Sequence, residues 1–321
     1  MTPLKVLLVS TWNTSCGIAE HAAYLKESVE AADATIQIVP APVLLNPDDL
    51  ISIADVPTYD SPIVHLNYQA ALHSRWNADR IRRWQEGGHK VVVTYHDSGV
   101  PNSDQCKAIC AAADYFVIHE PYDDLPGHGE YLRMGVPEYR GTLYPPHPEA
   151  NRRPIVGTCG HDFPWKCWPE LAGWAQVAGW GLRICTPEIT DERRHEIRSI
   201  NPWTEFCVGL DRETLVDALH GCDATAFVNV CHNTGQSGAI LQGIGARKPV
   251  IALSTCRQYR SLYLDEMGRE AIRWVETFAA VSYQLTTLPL SRVDTRLLPL
   301  AEHESWRHVG ARYAAIYRSL L

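Results

Sequence analysis

Apolar residues recur along this chain in two patterns that alternate. Short runs rich in Val, Ile and Leu read as buried strands, and between them lie longer stretches with apolar positions three or four apart, the mark of amphipathic helices. In the first half the runs are Lys5–Ser10, Thr35–Pro40, Ser61–Leu66, Lys90–Tyr95, Tyr115–His119 and Gly141–Tyr144. The stretch Ile18–Ala31 places Ile18, Ala22, Leu25 and Val29 on one helical face. Strands alternating with helices imply parallel pairing through right-handed crossovers, which is a doubly wound α/β architecture. The pattern breaks at Tyr144–Pro154, whose prolines suit neither helix nor strand. It then restarts with Ile155–Cys159, Leu182–Thr186, Thr204–Val208, Ala224–Val230 and Pro249–Leu253. Two Rossmann-like halves divided near residue 150 are therefore predicted, and no shorter repeat is visible.

Composition narrows the class. The 321 residues are 45% hydrophobic and 21% charged, enough to bury a core and too apolar for a disordered chain. No apolar stretch approaches the roughly 20 residues that cross a bilayer. The start, MTPLKVLLVS, reads as a first buried strand without a small-residue cleavage site, so a cytoplasmic protein with no stable membrane insertion is expected. The 10 cysteines are scattered singly through apolar segments, as buried thiols in a reducing compartment are. Cys106 and Cys110 fall at i,i+4 spacing with no second Cys or His pair at metal-ligand spacing, so no zinc site is expected there.

Charge is unevenly placed. Residues 1–150 hold 10 Lys and Arg against 19 Asp and Glu, whereas residues 151–321 hold 19 against 18. An acidic first half is a poor match to a nucleic-acid backbone or an anionic membrane. The basic run Arg80–Arg83 reads as the solvated face of an amphipathic helix.

In open α/β sheets, ligands bind beyond the carboxyl ends of the strands, so the loops after strands are where chemistry is sought. The first loop, Ser10–His21, contains Asn13, Gly17, Glu20 and His21. Gly17 lets the backbone approach a ligand, and Thr14 or Ser15 is positioned to cap the following helix. The loop matches neither the dinucleotide fingerprint G-x-G-x-x-G nor the Walker spacing. A second loop begins with His96 and Asp97 at the end of a buried strand, where either side chain could orient a polar ligand or act as a general base. A third delivers a single lysine, Lys166, just before a helix, where its point charge suits a diphosphate. The fourth, Val230–Ile251, runs from strand to glycine-bearing turn to helix. Its Gly235, Ser237 and Gly238 form a candidate anion cradle, and helix–sheet packing alone could instead demand Gly235, Gly238 and Gly243.

In their order and spacing these segments resemble the GT-B glycosyltransferases, in particular the large retaining family four. Cys16–Glu20 resembles the family's glycine-rich first loop, and Val93–Asp97 its His-bearing strand end. Gln242–Ile251 resembles the ending of its acidic motif, and Ser305–Tyr317 its closing helix. The resemblance implies two Rossmann-like doubly wound parallel-sheet domains facing a cleft. Residues 1–149 would form the acceptor-side domain and 150–304 the nucleotide-sugar domain, with helix 305–321 packing back on the first. It also implies a hexosyltransferase-like, retaining and metal-independent transfer from a nucleotide-diphosphate sugar, with no further cofactor, to a glycan, lipid-linked sugar or small-molecule hydroxyl.

Lys166 aligns with the family's diphosphate-binding lysine and His96 with the histidine that touches the donor sugar. Gly17, His161, Thr234, Gly235, Gln236, Ser237, Gly238 and Gln242 fall at donor-side positions, and Asn13, Glu20 and His21 on the acceptor side. The chain departs from the pattern where the two glutamates of the E-x7-E motif are Thr234 and Gln242, and where His161 replaces an arginine. If the reaction inverts, Asp97 is the first choice of base. Two rivals remain: a GT-B protein that binds a sugar nucleotide or glycan without turnover, motivated by the missing glutamates, and a glycosyltransferase acting on modified bases in DNA, which the acidic first half disfavours.

Overall fold

The structure, a computed structural model, describes residues 2–12, 14, 16–42, 61–69, 77–96, 104–119, 128–141, 153–231, 236–289 and 293–321. They fall into two compact units. The first comprises Met1–Gly135, Thr234–Gln236 and Trp306–Leu321, and the second Val136–Asn233 and Ser237–Ser305.

In the first unit, strands β1 (Leu4–Ser10), β2 (Ile36–Pro42), β3 (Ile63–Tyr68), β4 (Lys90–Tyr95), β5 (Tyr115–Ile118) and β6 (Gly129–Tyr131) form one parallel sheet, in the order β2-β1-β3-β4-β5-β6. Helix α1 (Gly17–Ala32) follows β1, α2 (Ala78–Glu86) precedes β4 and α3 (Asp104–Ala112) precedes β5. All six residues of β3 are buried, as a central parallel strand covered on both faces must be. The basic run lies on α2, which buries Ala78, Ile81 and Trp84 and leaves Arg82 and Arg83 exposed. Asn77 caps that helix by accepting from Arg80 N at 3.1 Å.

The last helix of the chain, Trp306–Ser319, packs on α1 in this unit. Its apolar stripe buries Val309, Tyr313, Ile316 and Tyr317, and Gly310 lets the two backbones meet. The stripe also carries a buried polar network. Tyr317 Oη lies 2.6 Å from His65 Nδ1, His65 Nε2 lies 2.7 Å from Thr94 Oγ1, and Thr94 Oγ1 lies 2.8 Å from Tyr313 Oη. Burial, and secondly the neighbouring His119, holds His65 down to a pKa of about 3.

An unfolded histidine titrates near 6.5, so below that pH the unfolded chain takes a proton that the folded one refuses. His65 therefore costs no stability above pH 6.5, and folding weakens as pH falls toward 3 by about 1.4 kcal/mol per unit. Urea unfolding followed at pH 5 and pH 7.5 should show a pH dependence that is one proton shallower in His65→Gln; an unchanged dependence would contradict this burial.

The second unit has the same plan. Strands β7 (Ile155–Cys159), β8 (Gly181–Thr186), β9 (Thr204–Val208), β10 (Ala224–Phe227), β11 (Val250–Leu253) and β12 (Arg273–Val275) are parallel in the order β12-β11-β10-β7-β8-β9. The intervening helices are α4 (Trp168–Val177), α5 (Asp191–Ile200), α6 (Arg212–His220), α7 (Gly238–Gly245), α8 (Arg260–Leu264), α9 (Glu266–Ala271), α10 (Phe278–Thr287) and α11 (Leu297–His303), which makes the closing helix α12. Among the described residues no helix is long and apolar enough to cross a membrane. All ten cysteines are free thiols.

The structure corrects several predicted elements. Gly141 is not in a strand, and Thr142–Tyr144 lies outside the described residues; the sixth strand of the first sheet is Gly129–Tyr131 instead. Both β6 and β12 are three-residue edge strands with only partial burial, so neither leaves an apolar run in the sequence. β10 stops at Phe227 rather than Val230, whose N–H donates to Trp165 O at 2.8 Å instead of to a neighbouring strand. Helix α1 begins after Cys16, which takes the N-cap position and makes no side-chain cap; of the two predicted caps, Thr14 is not the N-cap residue and Ser15 lies outside the described residues.

Candidate functional site

In the second unit, the candidate residues gather at the carboxyl edge of β7. The strand ends at Cys159, and Gly160 follows with φ of 125°, a conformation that L side chains rarely adopt. A short 3₁₀ turn, Pro164–Lys166, then leads through Cys167, itself left-handed at φ 51°, into α4. This turn carries Lys166 inward, so the lysine is only 8% exposed. A Cβ built on Gly160 would lie 2.9 Å from Lys166 Nζ, so the glycine leaves room for the ammonium group. Among the described residues Lys166 has no carboxylate partner at ion-pair distance. Burial lowers its pKa, against the opposing influence of Cys159, Cys256 and Cys231. A buried cation held by no anion of its own is a group waiting for one from outside.

Helix α7 starts close by, and a Cβ on Gly160 would come 4.0 Å from Ala239 Cβ. Its N-cap, Ser237, is buried and makes no side-chain cap, leaving first-turn N–H groups for another acceptor. A side chain at Gly238 would meet nothing within 4 Å, whereas one at Gly243 would strike Phe227 Cε2 at 2.3 Å. Packing therefore explains Gly243 and not Gly238. Gln242 is buried, and its Oε1 has no hydrogen-bond partner among the described residues. His161 is half-buried with its ring 5.7 Å from Phe163, which stacks on Trp165 at 4.4 Å. Both of these aromatics are exposed. Gln236 belongs to the first unit, where its Oε1 accepts from Met134 N at 2.7 Å. Thr234, Gly235, Asn13 and Asp97 lie outside the described residues.

The first unit has its own cluster, at the carboxyl ends of its central strands. His96 follows β4 and donates its backbone N–H to Tyr68 O at 2.8 Å. His21 comes from the first turns of α1, and its ring centre lies 4.5 Å from that of His96. The third member, His119, follows β5 and has its ring 4.9 Å from His96 and 5.1 Å from His21. Its Nδ1–H donates to Leu132 O at 2.7 Å. Burial holds His119 down to a pKa of about 4, and lowers His21 well below the usual value with help from the neighbouring rings. Asn67 Nδ2 donates to Ser10 Oγ at 3.2 Å and lies 3.4 Å from His21 Nδ1. Glu20 is half-buried one residue before His21, and Gly17 is exposed, with open space where a side chain would go. Sequence reasoning missed His119, because it was absorbed into the strand Tyr115–His119. The available signal was its position, the last polar residue at a strand's carboxyl end.

Two parallel six-stranded sheets, each wound with helices, define the pair of Rossmann-like units of the GT-B fold. HepE of Anabaena, solved in complex with UDP, matches 99% of this chain over 100% of its own, with a TM-score of 0.68 and 11% identity. AviGT4, a glycosyltransferase involved in avilamycin A biosynthesis, matches 99% of this chain over 98% of its own, with a TM-score of 0.61 and 16% identity. WaaG, a glycosyltransferase involved in lipopolysaccharide biosynthesis, matches 97% over 95%, with a TM-score of 0.52 and 12% identity. At such identities the likeness is one of fold. No family model matches the chain, and no curated protein matches it in sequence.

Proposed function

We propose that this chain is a glycosyltransferase that moves a sugar from a nucleoside-diphosphate donor to a hydroxyl acceptor. The observation that carries this is Lys166, a buried lysine without a carboxylate partner among the described residues, set beside the open N-terminus of α7 at the carboxyl edge of a Rossmann-like sheet. Support comes from the GT-B fold and from HepE, which was solved with UDP. The donor diphosphate is assigned to the second unit. There Lys166 neutralises it, the first N–H groups of α7 hydrogen-bond it, and Gln242 Oε1 accepts from a donor hydroxyl. The exposed Phe163–Trp165 pair offers an apolar face to a ring.

The acceptor side is assigned to the first unit, around Glu20 and His21, with His96 at the reacting centre. In the reaction the acceptor oxygen bonds to the anomeric carbon, and the bond from that carbon to the diphosphate oxygen breaks with its electron pair leaving on the diphosphate. Fixed charge and dipoles at Lys166 and α7 stabilise that leaving group. In a retaining transfer the departing diphosphate takes the acceptor's proton, and no protein base is required. In an inverting one Asp97 takes it.

A specific observation favours a second reading, binding without turnover: the position of a family glutamate is held by the neutral, buried Gln242. One assay separates the two. UDP-, GDP-, ADP- and CMP-sugars are incubated with the protein, and nucleotide release is measured alongside binding. Release from one donor class, abolished in Lys166→Ala, is expected. Binding without release would favour the second reading, and absence of both would overturn the assignment.

A further inference from the structure

We propose that His21, His96 and His119 form a three-histidine site for a divalent late first-row transition cation, Zn²⁺ being the first choice. One ring nitrogen of each lies within 4.8 Å of the others. Hydrogen bonding leaves one particular nitrogen available in two of the rings. His119 Nδ1–H is committed to the Leu132 carbonyl, so its Nε2 carries the free lone pair. That Nε2 is buried without a partner among the described residues, and so is Nε2 of His21. The two residues are 3% and 2% exposed, so water does not satisfy these nitrogens in bulk. Two orphaned ring nitrogens in one buried cluster call for a shared positive centre.

The surroundings suit a cation of this class. A metal-ligating histidine characteristically donates its other N–H to a carbonyl or amide, which fixes the tautomer and the ring's direction, and the bond from His119 to Leu132 is of this kind. Turning over the side-chain amide of Asn67 presents its oxygen to His21 Nδ1 and to the Ser10 hydroxyl, both able to donate. Asn67 Oδ1 is otherwise a buried atom without a partner among the described residues. Neutral imidazoles select Zn²⁺, Co²⁺, Ni²⁺ or Cu²⁺ over Mg²⁺ or Ca²⁺, which prefer oxygen. With bonds of about 2.0 Å, a tetrahedral ion holds its ligands about 3.3 Å apart. Closing the cluster therefore takes side-chain shifts of about an ångström, and His96, the one ring of the three that is not fully buried, is best placed to make them. Three protein ligands leave the fourth position open, as at zinc sites that bind water or substrate. The cation is set in the first unit and has no part in neutralising the diphosphate; its ligands His21 and His96 also figure in the sugar-transfer reading, but cation binding is read without a sugar donor, so failure of one reading is distinguishable from failure of the other.

Cobalt tests it directly. The chelator-treated protein is titrated with Co²⁺ alone, followed by visible absorption, and Zn²⁺ is then added in competition. One Co²⁺ per chain with an intense tetrahedral spectrum is expected, displaced by one equivalent of Zn²⁺. His96→Gln and His119→Gln should each weaken binding by about 100-fold or more, since even outer-shell changes cost about 10–100-fold, while His195→Gln, at an exposed helical position, should leave it unchanged. Circular dichroism on the same samples verifies folding, and His96→Gln, at the least buried of the three, serves if the His119 variant does not fold. A weak octahedral spectrum, or binding indifferent to His96→Gln and lost with His195→Gln, would overturn the proposal.

Discussion

Replacing Gly310 by leucine should destabilise the first unit by about 3 kcal/mol or more, as overpacking against a backbone that cannot move aside does. Gly310 sits in the middle of α12, and even a single Cβ there would lie 2.4 Å from the carbonyl carbon of Ser28 and 2.5 Å from its Cβ, on α1. Relief requires α12 to rise from α1, which uncovers Tyr313 and Tyr317 and breaks their contacts with Thr94 and His65. Gly310→Ala gives a sharper test of sign. Helix propensity alone predicts a gain of about 1 kcal/mol, whereas the contact with Ser28 should reverse it into a net loss. Denaturant unfolding decides between them, and a stabilised alanine variant would show that the two helices do not approach so closely.

Lys166→Met should act in the opposite direction. An ammonium group buried without an anion costs free energy, and an apolar chain of similar length fills the same space without that cost. The ligand-free variant is expected to be more stable than the parent by about 1–3 kcal/mol. A destabilised methionine variant would mean that Lys166 already has a strong partner in the folded chain. The expected gain is the opposite of what a residue kept for stability would give, and functional sites are where proteins accept such a loss.

Much of this fold is legible in the sequence because central parallel strands are buried on both faces. Lys90–Tyr95 and Ile155–Cys159, both inside their sheets, have the predicted limits. Edge strands carry no such signal, and Gly129–Tyr131 and Arg273–Val275 could not be separated from loop by their polarity pattern. Lys166 was legible as a candidate because the glycine-bearing turn Gly235–Gly238 supplies a second anion-seeking feature at the matching sheet edge. His21 and His96 were legible as polar residues of strand-end loops, but their grouping with His119 was not, since the three lie far apart in the chain and only the strand order brings them together. Gln242 and Gly238 show what side-chain detail adds: packing accounts for Gly243 but leaves Gly238 and the Gln242 oxygen without a structural task.

The central claim is that the carboxyl edge of β7 and the start of α7 hold a nucleoside diphosphate through Lys166. Calorimetric titration of UDP, GDP and ADP into the parent protein and into Lys166→Met tests it most directly. At least one nucleotide should bind the parent, and the variant should bind it about 30-fold more weakly, corresponding to the loss of a charged hydrogen bond of about 2 kcal/mol. Equal binding by parent and variant, or no binding of any nucleoside diphosphate by the parent, would contradict it.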